Sequence, residues 1–356
     1  MKPSRTSLII ISILIIMALI WVITTKKQNH SIDQPIKIGI IGPLSGPAGL
    51  IGEEVANSIK LASSTSFQLI FEDDQCDTKK AVSLYLKLTQ QDVHVFYVSC
   101  SGSVLALAPL AKTGGNLILT AYAGSSEIRK TGDEVIRFIP DALSIAGAMA
   151  NYALKLPVDS KIGLLYEAQD YSKSVAMTLQ DKLGAKIISQ ETYSATDNTF
   201  RTQLMKLKSQ GINNLFYVPT SGKAVGLVYK ELDVLNYRPL LIGDVNACEY
   251  TPTPKEFGLK SVCFDAGFTT ETQAYKDFLV VYKTQYGIES ASPFYDSVTY
   301  DIFKLIDVYA KSHSTNNIAS GLKTYFLGGV TGGMSSYSFT KNGEVMADQY
   351  LKMFEK

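Results

Sequence analysis

The chain has 356 residues, of which 46% are hydrophobic and 19% are charged, and its formal net charge is +1. This length suits two globular units better than one, because a single hydrophobic core rarely serves more than ~250–300 residues. The balanced charge argues against a nucleic-acid partner. The sequence also lacks an acidic tail of the kind that suggests disorder.

The N-terminal residues predict an export or membrane signal. Lys2 and Arg5 precede an apolar run at 8–23 that only Ser12 interrupts, the pattern of a positive segment before a hydrophobic core. The run is close to the ~20 residues that a spanning helix needs. No clear cleavage site follows, so an uncleaved anchor at 7–25 and a cleaved signal peptide both stay open. Either one places the rest of the chain outside the cytoplasm.

From residue 36 onward, strand-like and helix-like segments alternate in two similar series, which predicts an α/β fold with parallel sheets covered by helices. The predicted strands lie at 36–41, 67–71, 93–98 and 117–120, and then at 161–166, 186–189, 214–218 and 240–243. The predicted helices lie at 52–62, 78–90, 104–113, 143–156, 172–183, 200–209 and 221–235.

The remaining segments add no third unit. They contain predicted helices at 271–286, 297–313 and 318–326, followed by a hairpin that turns at Asn342-Gly343, a signal for a type I′ turn. A chain that returns across both units crosses between them several times, and such crossings act as a hinge.

The turn after the first strand reads GPLSGPAGLIGEE. No two of its glycines are one residue apart, as G-x-G-x-x-G requires, and Gly52 is followed by Glu53 instead of the P-loop lysine. Pro43 and Pro47 remove amides that a phosphate would use. We therefore expect no nucleotide here, while a plain strand–helix turn and a ligand-facing turn both stay open.

The sequence shows no catalytic or metal-binding pattern. The three histidines, His30, His94 and His313, lie apart from any nucleophile, and no G-x-S-x-G elbow occurs. The acidic residues at 72–77 lack calcium-loop spacing, so we interpret them as a solvated strand end with a helix cap. We expect no enzyme activity, no metal and no cofactor.

The four cysteines fit a compartment in which disulfides form. Cys76 and Cys100 each follow a predicted strand, and parallel strands bring their carboxyl ends to one edge of a sheet. Cys248 and Cys263 bracket a short loop that contains proline. We predict the disulfides Cys76–Cys100 and Cys248–Cys263, with four free buried thiols as the alternative.

Small polar residues follow two of the predicted strands, as SCSGS at 99–103 and AYAGSS at 121–126. Ligands of open α/β sheets bind outside the carboxyl ends of the strands. Hydroxyls and helix-start amides at these positions can hold a carboxylate without a basic side chain. Ordinary helix capping by serine is the alternative for any single residue.

Taken together, these motifs resemble the type I periplasmic binding proteins of the leucine/isoleucine/valine-binding class. The similarity covers nearly all of 36–356 and includes IKIGIIGPLSGPAGLIGEE, FEDDQCDTKKAV, YVSCSGSV, KIGLLYEAQDYSKSVA and GVTGGMSSYSFTKNGEV. It implies two Rossmann-like lobes with parallel central sheets, joined by a three-crossover hinge and preceded by an N-terminal hydrophobic helix. The implied division is 1–34 for the signal and tether, 36–139 plus 268–328 for lobe 1, and 140–267 plus 329–356 for lobe 2.

The resemblance also implies a carboxylate site on the first lobe. Ser101 matches a serine that binds the ligand carboxylate through its hydroxyl and amide. Gly124 stands where a threonine has the same role, so only its amide remains. Tyr122 matches a position whose backbone carbonyl accepts from the α-amino group. In this family the cysteines matching Cys76 and Cys100 are bridged.

On the second lobe, the resemblance implies the rest of the site. Tyr171 matches a tyrosine that faces the cleft, and Thr220 falls where a tyrosine is common. The acid that pairs with the ammonium group falls at Asp244 with a one-residue shift, or at Val245 without it.

A protein of this kind would capture an amino acid or related small carboxylate and deliver it to an ABC permease and its ATPase. It would do no chemistry of its own. A membrane-tethered sensor that uses the same cleft to control a partner protein is the alternative.

Overall fold

The computed structural model describes residues 35–220, 222–244, 246–247, 253–266, 272–346 and 351–355. The hydrophobic helix expected within 1–34 therefore lies outside the described residues. Among the helices that are described, none has both the length and the apolar character needed to cross a membrane.

The first lobe is built on a five-stranded parallel sheet. Its strands are β1 (Ile36–Gly42), β2 (Phe67–Asp73), β3 (Val95–Val98), β4 (Leu117–Thr120) and β5 (Val135–Arg137). Between them lie α1 (Gly49–Ala62), α2 (Thr78–Thr89), α3 (Ser101–Gly114) and a 3₁₀ turn at Ser126–Lys130. The strand order is β2-β1-β3-β4-β5, so β1 and β4 flank β3. β5, which has three residues, is missing from the sequence prediction because so short a run has no period to detect.

The second lobe repeats this construction. Its helices are α4 (Ala142–Ala153), α5 (Asp170–Leu183), α6 (Arg201–Ser209) and α7 (Gly222–Val234). Its first strands are β6 (Ile162–Glu167), β7 (Ile187–Tyr193), β8 (Asn214–Val218), β9 (Leu240–Asp244) and β10 (Ser261–Ala266). All of these strands are parallel.

The last part of the chain contributes to both lobes. It contains α8 (Gln273–Tyr286), α9 (Pro293–Ser312), α10 (Ile318–Leu327), β11 (Val330–Thr331), β12 (Ser336–Tyr337) and β13 (Leu351–Glu355). β13 pairs antiparallel with β10, which makes the order of the second sheet β13-β10-β9-β8-β6-β7. The alternation of strands and helices thus forms two α/β lobes with parallel sheets, as predicted, with one antiparallel edge strand added to the second.

Helices α9 and α10 pack on the first lobe although they follow the second lobe in sequence. Phe294 and Ile302 on α9 and Phe326 on α10 are buried in one cluster with Ile38 of β1 and Tyr97 of β3. α9 also packs along α1. Their apolar faces cover the side of the sheet that α2 and α3 leave free.

The hairpin β11–β12 belongs to the same core, which differs from the expected return to the second lobe at residue 329. Val330, Tyr337 and Phe339 are buried in the first cluster. The ring centroids of Tyr337 and Phe339 lie 5.2 and 4.9 Å from that of Phe138. This aromatic contact keeps 330–339 on the first lobe, and the chain joins the second sheet only at β13.

The turn at Asn342-Gly343 is not the predicted type I′ turn, which needs a positive φ at both residues. Of this pair only Gly343 has one, at 77°. The Gly343 N–H donates to the Thr340 carbonyl at 3.0 Å, and Phe339 pairs with Val345. This is a longer loop closed by a left-handed glycine.

Cys76 and Cys100 form a disulfide with a Cα–Cα distance of 5.5 Å, which confirms the first predicted pair. The bridge joins the segments after β2 and β3, which lie on either side of β1. Cys263 is buried in the core of the second lobe. Cys248 lies outside the described residues, so the second pairing stays a prediction.

Candidate ligand-binding site between the lobes

A cavity of about 130 Å³ lies between the two lobes, at the carboxyl ends of both sheets. A single water molecule needs a cavity of only ~10–15 Å³, so this cavity is large enough for a small organic molecule. The first lobe lines it with the segments after all five strands of its sheet, and the second lobe with those after β6, β7, β8 and β9. This is where open α/β sheets bind their ligands.

The turn after β1 faces this cavity. Pro43, Pro47, Ala48 and Ile51 all line it. The sequence left open a plain turn and a ligand-facing turn, and the structure shows the turn that faces the cavity. The side chains that the turn contributes to the cavity wall are apolar.

Ser101 is the first residue of α3 and lines the cavity. Its Oγ accepts a hydrogen bond of 3.1 Å from the Ser125 N–H. A hydroxyl that accepts in this way can still donate its own proton. The first N–H groups of a helix have no partner within the helix, so the start of α3 can bind an anion.

Tyr122 and Gly124 follow β4, and both line the cavity. The Tyr122 hydroxyl donates to Asp296 at 2.7 Å, and its ring packs on Tyr295 with a centroid distance of 5.1 Å. A Cβ added to Gly124 would lie 2.7 Å from two ring carbons of Tyr171. The Tyr171 ring of the second lobe therefore packs directly against the backbone of Gly124 in the first lobe.

Asp244 is not in the cavity wall. It ends β9 and is fully buried. The Tyr171 hydroxyl donates to its carboxylate at 2.7 Å, and the Asn246 amide and the Ala247 N–H donate to it at 3.2 Å each. The carboxylate that the resemblance assigns to the ligand ammonium thus lies behind Tyr171, which does line the cavity.

Glu167 is an acidic residue of the cavity wall that the sequence analysis missed, as is Asp170. It ends β6, has 1% of its surface exposed and lines the cavity. Its two carboxylate oxygens accept from the hydroxyl and the N–H of Thr220, at 2.5 and 3.1 Å. Thr220 lines the cavity as well. Glu167 could have been found by the same sequence pattern as Ser101, which is a polar residue at or just after the carboxyl end of a buried strand.

The two lobes contact each other beside the cavity. Ser126 of the first lobe contacts Ser174 on α5, with 2.6 Å between their hydroxyl oxygens and 2.9 Å from the Ser126 N–H to the Ser174 hydroxyl. Gly102 faces Asp170, because a Cβ at Gly102 would lie 2.4 Å from an Asp170 carboxylate oxygen. The lobes are therefore close together in this structure.

A buried arginine organises the crossing from β5 to α4. Arg137 donates to the carbonyls of Ala123 and Ser125 at 3.2 and 2.6 Å, and it pairs with Glu344. Asp141 lies 3.5 Å from the same guanidinium. Burial pushes the pKa of Asp141 upward, but its hydrogen bond from Arg129 and the charge of Arg137 hold that pKa below its usual range.

Asp74 differs from the solvated strand end expected at 72–77. It is fully buried, and it accepts from the Ser103 hydroxyl at 2.5 Å and the Cys76 N–H at 2.9 Å. Burial raises the pKa of its carboxyl group. Asp77 caps α2 as predicted. Asp74 lies near Cys76 and Cys100, but a disulfide offers no thiolate to a metal.

Comparison with known proteins now identifies the family. A sequence model of the family described as "Periplasmic binding protein" matches residues 35–341. The Leu/Ile/Val-binding protein of Escherichia coli (strain K12) is 24% identical over 205 residues, which are 53% of this chain and 56% of that protein. The chain thus matches little more than half the length of this curated relative.

Two solved structures share the fold. One is the substrate binding protein of a branched-chain amino acid transporter from Streptococcus pneumoniae, in complex with isoleucine (TM-score 0.74, 19% identity, 90% of this chain and 100% of that chain). The other is a solute binding protein of an ABC transporter from Rhodopseudomonas palustris, in complex with benzoate (TM-score 0.75, 16% identity, 90% and 92%). Because the family model spans most of the sequence, and its relatives include the leucine/isoleucine/valine-binding class that the motifs resemble, this chain belongs to the periplasmic binding protein family.

Proposed function

We propose that the protein is an extracytoplasmic solute-binding protein that captures an amino acid or related small carboxylate and delivers it to an ABC importer. The observation that carries this proposal is the cavity between the lobes, with a helix start and Ser101 on one side and Glu167 on the other. The relatives agree in chemistry, since isoleucine and benzoate both carry a carboxylate.

The start of α3 is the proposed carboxylate site. Ser101 supplies a hydroxyl donor there, and the Gly124 amide lies after the neighbouring strand β4. Among the described residues that line the cavity, none is Lys, Arg or His. The carboxylate is therefore held by N–H groups, a hydroxyl and the positive end of the helix dipole.

Glu167 is the proposed partner of the ligand ammonium group, together with the Tyr122 carbonyl. Its carboxylate is oriented by Thr220, as described above. Asp244 acts as a positioning residue, because its contact with the cavity passes through the Tyr171 hydroxyl. Tyr122, Tyr171 and Thr220 line the space between these charged ends.

Ligand capture follows from closure of the lobes. A ligand that contacts both lobes stabilises the closed form more than the open one, and this difference in affinity drives the change. The ring of Tyr171 then covers Gly124 and excludes water. The importer's permease and ATPase would receive the ligand when the lobes separate. The protein itself makes and breaks no covalent bond.

The N-terminal segment at 7–25 would hold the protein at the outer face of the cytoplasmic membrane. An uncleaved anchor is also what a tethered sensor would need, because a sensor must stay beside the partner that it controls. The missing cleavage site in the sequence is the observation that favours this second function.

A thermal-shift screen of the purified protein tests the proposal. The panel contains amino acids, their deaminated analogues and the matching amines. A ligand at about 100 times its Kd adds about 2.7 kcal/mol of stability. We expect Ser101→Ala to weaken the binding of every carboxylate ligand. We expect Glu167→Gln to remove the preference for amino acids over their deaminated analogues.

Thr113→Ala is the matched control, because Thr113 is exposed at the far end of the same helix. A panel in which no carboxylate stabilises the protein would contradict the proposed function. If Glu167→Gln still prefers amino acids over deaminated analogues as strongly as the wild type, then Glu167 does not bind the ammonium group.

A further inference from the structure

Ser99 is a buried polar residue in the cavity wall to which no role has yet been assigned. It exposes 4% of its surface, and its Oγ has no hydrogen-bond partner among the described residues. Its backbone is held, because its N–H donates to the Ile41 carbonyl at 3.2 Å. The disulfide at Cys100 fixes the next residue. Ser99 therefore lines the cavity in a fixed backbone position, and none of the described residues bonds its hydroxyl.

Ser99 and Ser101 face opposite sides of β3. A Cβ added to Gly42, at the end of β1, would lie 2.8 Å from Ser99 Oγ. Ser101 Oγ instead bonds the N–H of Ser125, which follows β4. Because β1 and β4 flank β3 in the sheet, the two hydroxyls are directed to different sides of the segment that follows β3.

On the β1 side of the cavity, the turn after β1 is apolar, and Gln75, after β2, is the polar residue nearest to that turn. Pro43, Pro47, Ala48 and Ile51 line the cavity there. A buried hydroxyl without a partner is unfavourable, and a ligand atom that bonds it removes that cost. Ligand pockets commonly select their ligand through a few polar groups set in an apolar wall.

We propose that Ser99 binds a hydrogen-bonding group on the part of the ligand remote from the carboxylate. The cavity then selects a small carboxylate or amino acid that carries a hydroxyl or amide over an aliphatic one of the same shape. This inference rests on the proposed function and names the ligand class of that site. With the carboxylate at Ser101 and Gly124, on the β4 side, the rest of the ligand extends toward Ser99.

Isosteric ligand pairs test this inference by calorimetric titration of the full chain. The pairs are L-threonine with L-valine, L-asparagine with L-leucine, and 4-hydroxybenzoate with 4-methylbenzoate. We expect the wild-type protein to bind the polar member of at least one pair tenfold or more tightly. Ser99→Ala should reduce that preference to less than threefold by weakening the polar member alone. Ser101→Ala, the matched variant, should weaken both members alike.

The melting temperature of the ligand-free protein provides a second measurement. Because no described residue bonds the Ser99 hydroxyl, its removal should leave this temperature unchanged or raise it, whereas a drop in Ser99→Ala would show a structural role and overturn the inference. Equal wild-type binding of both members in every pair, or a preference that survives Ser99→Ala, would also overturn it while leaving the proposed function intact. Binding of no member at all would contradict the proposed function itself.

Discussion

The hydroxyl oxygens of Ser126 and Ser174 lie 2.6 Å apart and join the first lobe to the second. The Ser126 N–H also donates to Ser174 Oγ, at 2.9 Å. Both bonds exist only while the lobes are together, so they stabilise the closed form without touching the cavity, whose lining includes neither residue.

Ser174→Ala should therefore shift the protein toward the open form. The variant loses both bonds, and a net hydrogen bond contributes ~0.5–1.5 kcal/mol, so we expect ligand affinity to fall at least about fivefold. The radius of gyration of the ligand-free protein, measured by small-angle X-ray scattering, should increase. Met177→Ala is the control, because Met177 is exposed on the same helix. An unchanged affinity would show that the serine pair does not bias closure.

Gly124→Ala should fold normally but bind poorly. The added Cβ would lie 2.7 Å from the Tyr171 ring only when the lobes are closed. We expect a loss of affinity of at least tenfold with little change in the melting temperature of the ligand-free protein.

Gly147→Ala on α4 is the control for Gly124→Ala, since the nearest atom to its new Cβ is the end of Lys182 at 3.8 Å. Wild-type affinity in Gly124→Ala would mean that Tyr171 does not approach Gly124 in the bound state.

Tyr171→Phe should remove one of the donors to a buried carboxylate. Asp244 would keep the donors from Asn246 and Ala247, at 3.2 Å each. We expect the free energy of unfolding to drop by about 1–3 kcal/mol, because a lost partner leaves a buried charge less well satisfied.

Tyr166→Phe is the matched control for Tyr171→Phe. Its hydroxyl accepts at 3.0 Å from the exposed Gln190 side chain. Chemical denaturation of both variants gives the comparison, and equal losses of stability would show that the Tyr171–Asp244 bond has no special role.

Removal of the Cys76–Cys100 bridge should destabilise the protein and weaken ligand binding together. The cysteines are 24 residues apart, and a bridge of this span contributes about 3 kcal/mol. Cys100 lies between Ser99 and Ser101, so the bridge also holds both hydroxyls in place. Urea unfolding and ligand titration of the double variant Cys76→Ser, Cys100→Ser measure the two effects. If the double variant is destabilised but binds its ligand with wild-type affinity, then the disulfide is not needed to position the binding residues.

Asp296 and Glu54 form a buried pair of carboxyl groups beneath Tyr122. Asp296 accepts from the hydroxyls of Tyr122 and Ser290, at 2.7 and 2.6 Å. Burial, and then the nearby charge of Glu54, raise the pKa of Asp296 well above its usual value. The folded protein therefore keeps a proton that the unfolded chain releases.

The stability that this proton contributes is complete below about pH 3.9, the ordinary aspartate pKa, and is lost as the pH rises through the raised pKa. Asp296→Asn stays neutral throughout, so we expect its melting temperature to fall less than that of the wild type from pH 4 to pH 8. Asp277→Asn, on the exposed face of α8, is the control. Parallel pH profiles for wild type and Asp296→Asn would contradict the assignment.

Much of the fold follows from local patterns. The strands Leu117–Thr120 and Asn214–Val218 have the boundaries that their apolar runs between turn signals predict. The alternation of strands and helices predicts parallel sheets, and the carboxyl-end rule then places Ser101 and Tyr122 at a cavity. These features depend on residues that are close together in the chain.

The residues that the sequence analysis misplaced depend on distant partners. Asp244 lies behind Tyr171, which is 73 positions away in the chain. The hairpin β11–β12 stays on the first lobe because Tyr337 packs against Phe138. No periodicity records such contacts, since they arise only when separate elements pack together.

The sequence by itself therefore determined the two α/β units, the Cys76–Cys100 bridge and the polar strand ends, because each is encoded by hydrophobic spacing or by residue type at a strand end. Only the tertiary structure decided that Glu167 lines the cavity while Asp244 is buried, and that no residue in the described parts of the chain bonds the Ser99 hydroxyl. Those outcomes depend on which side chains and loops meet in space, and burial, unlike residue type, is a property of the assembled lobes.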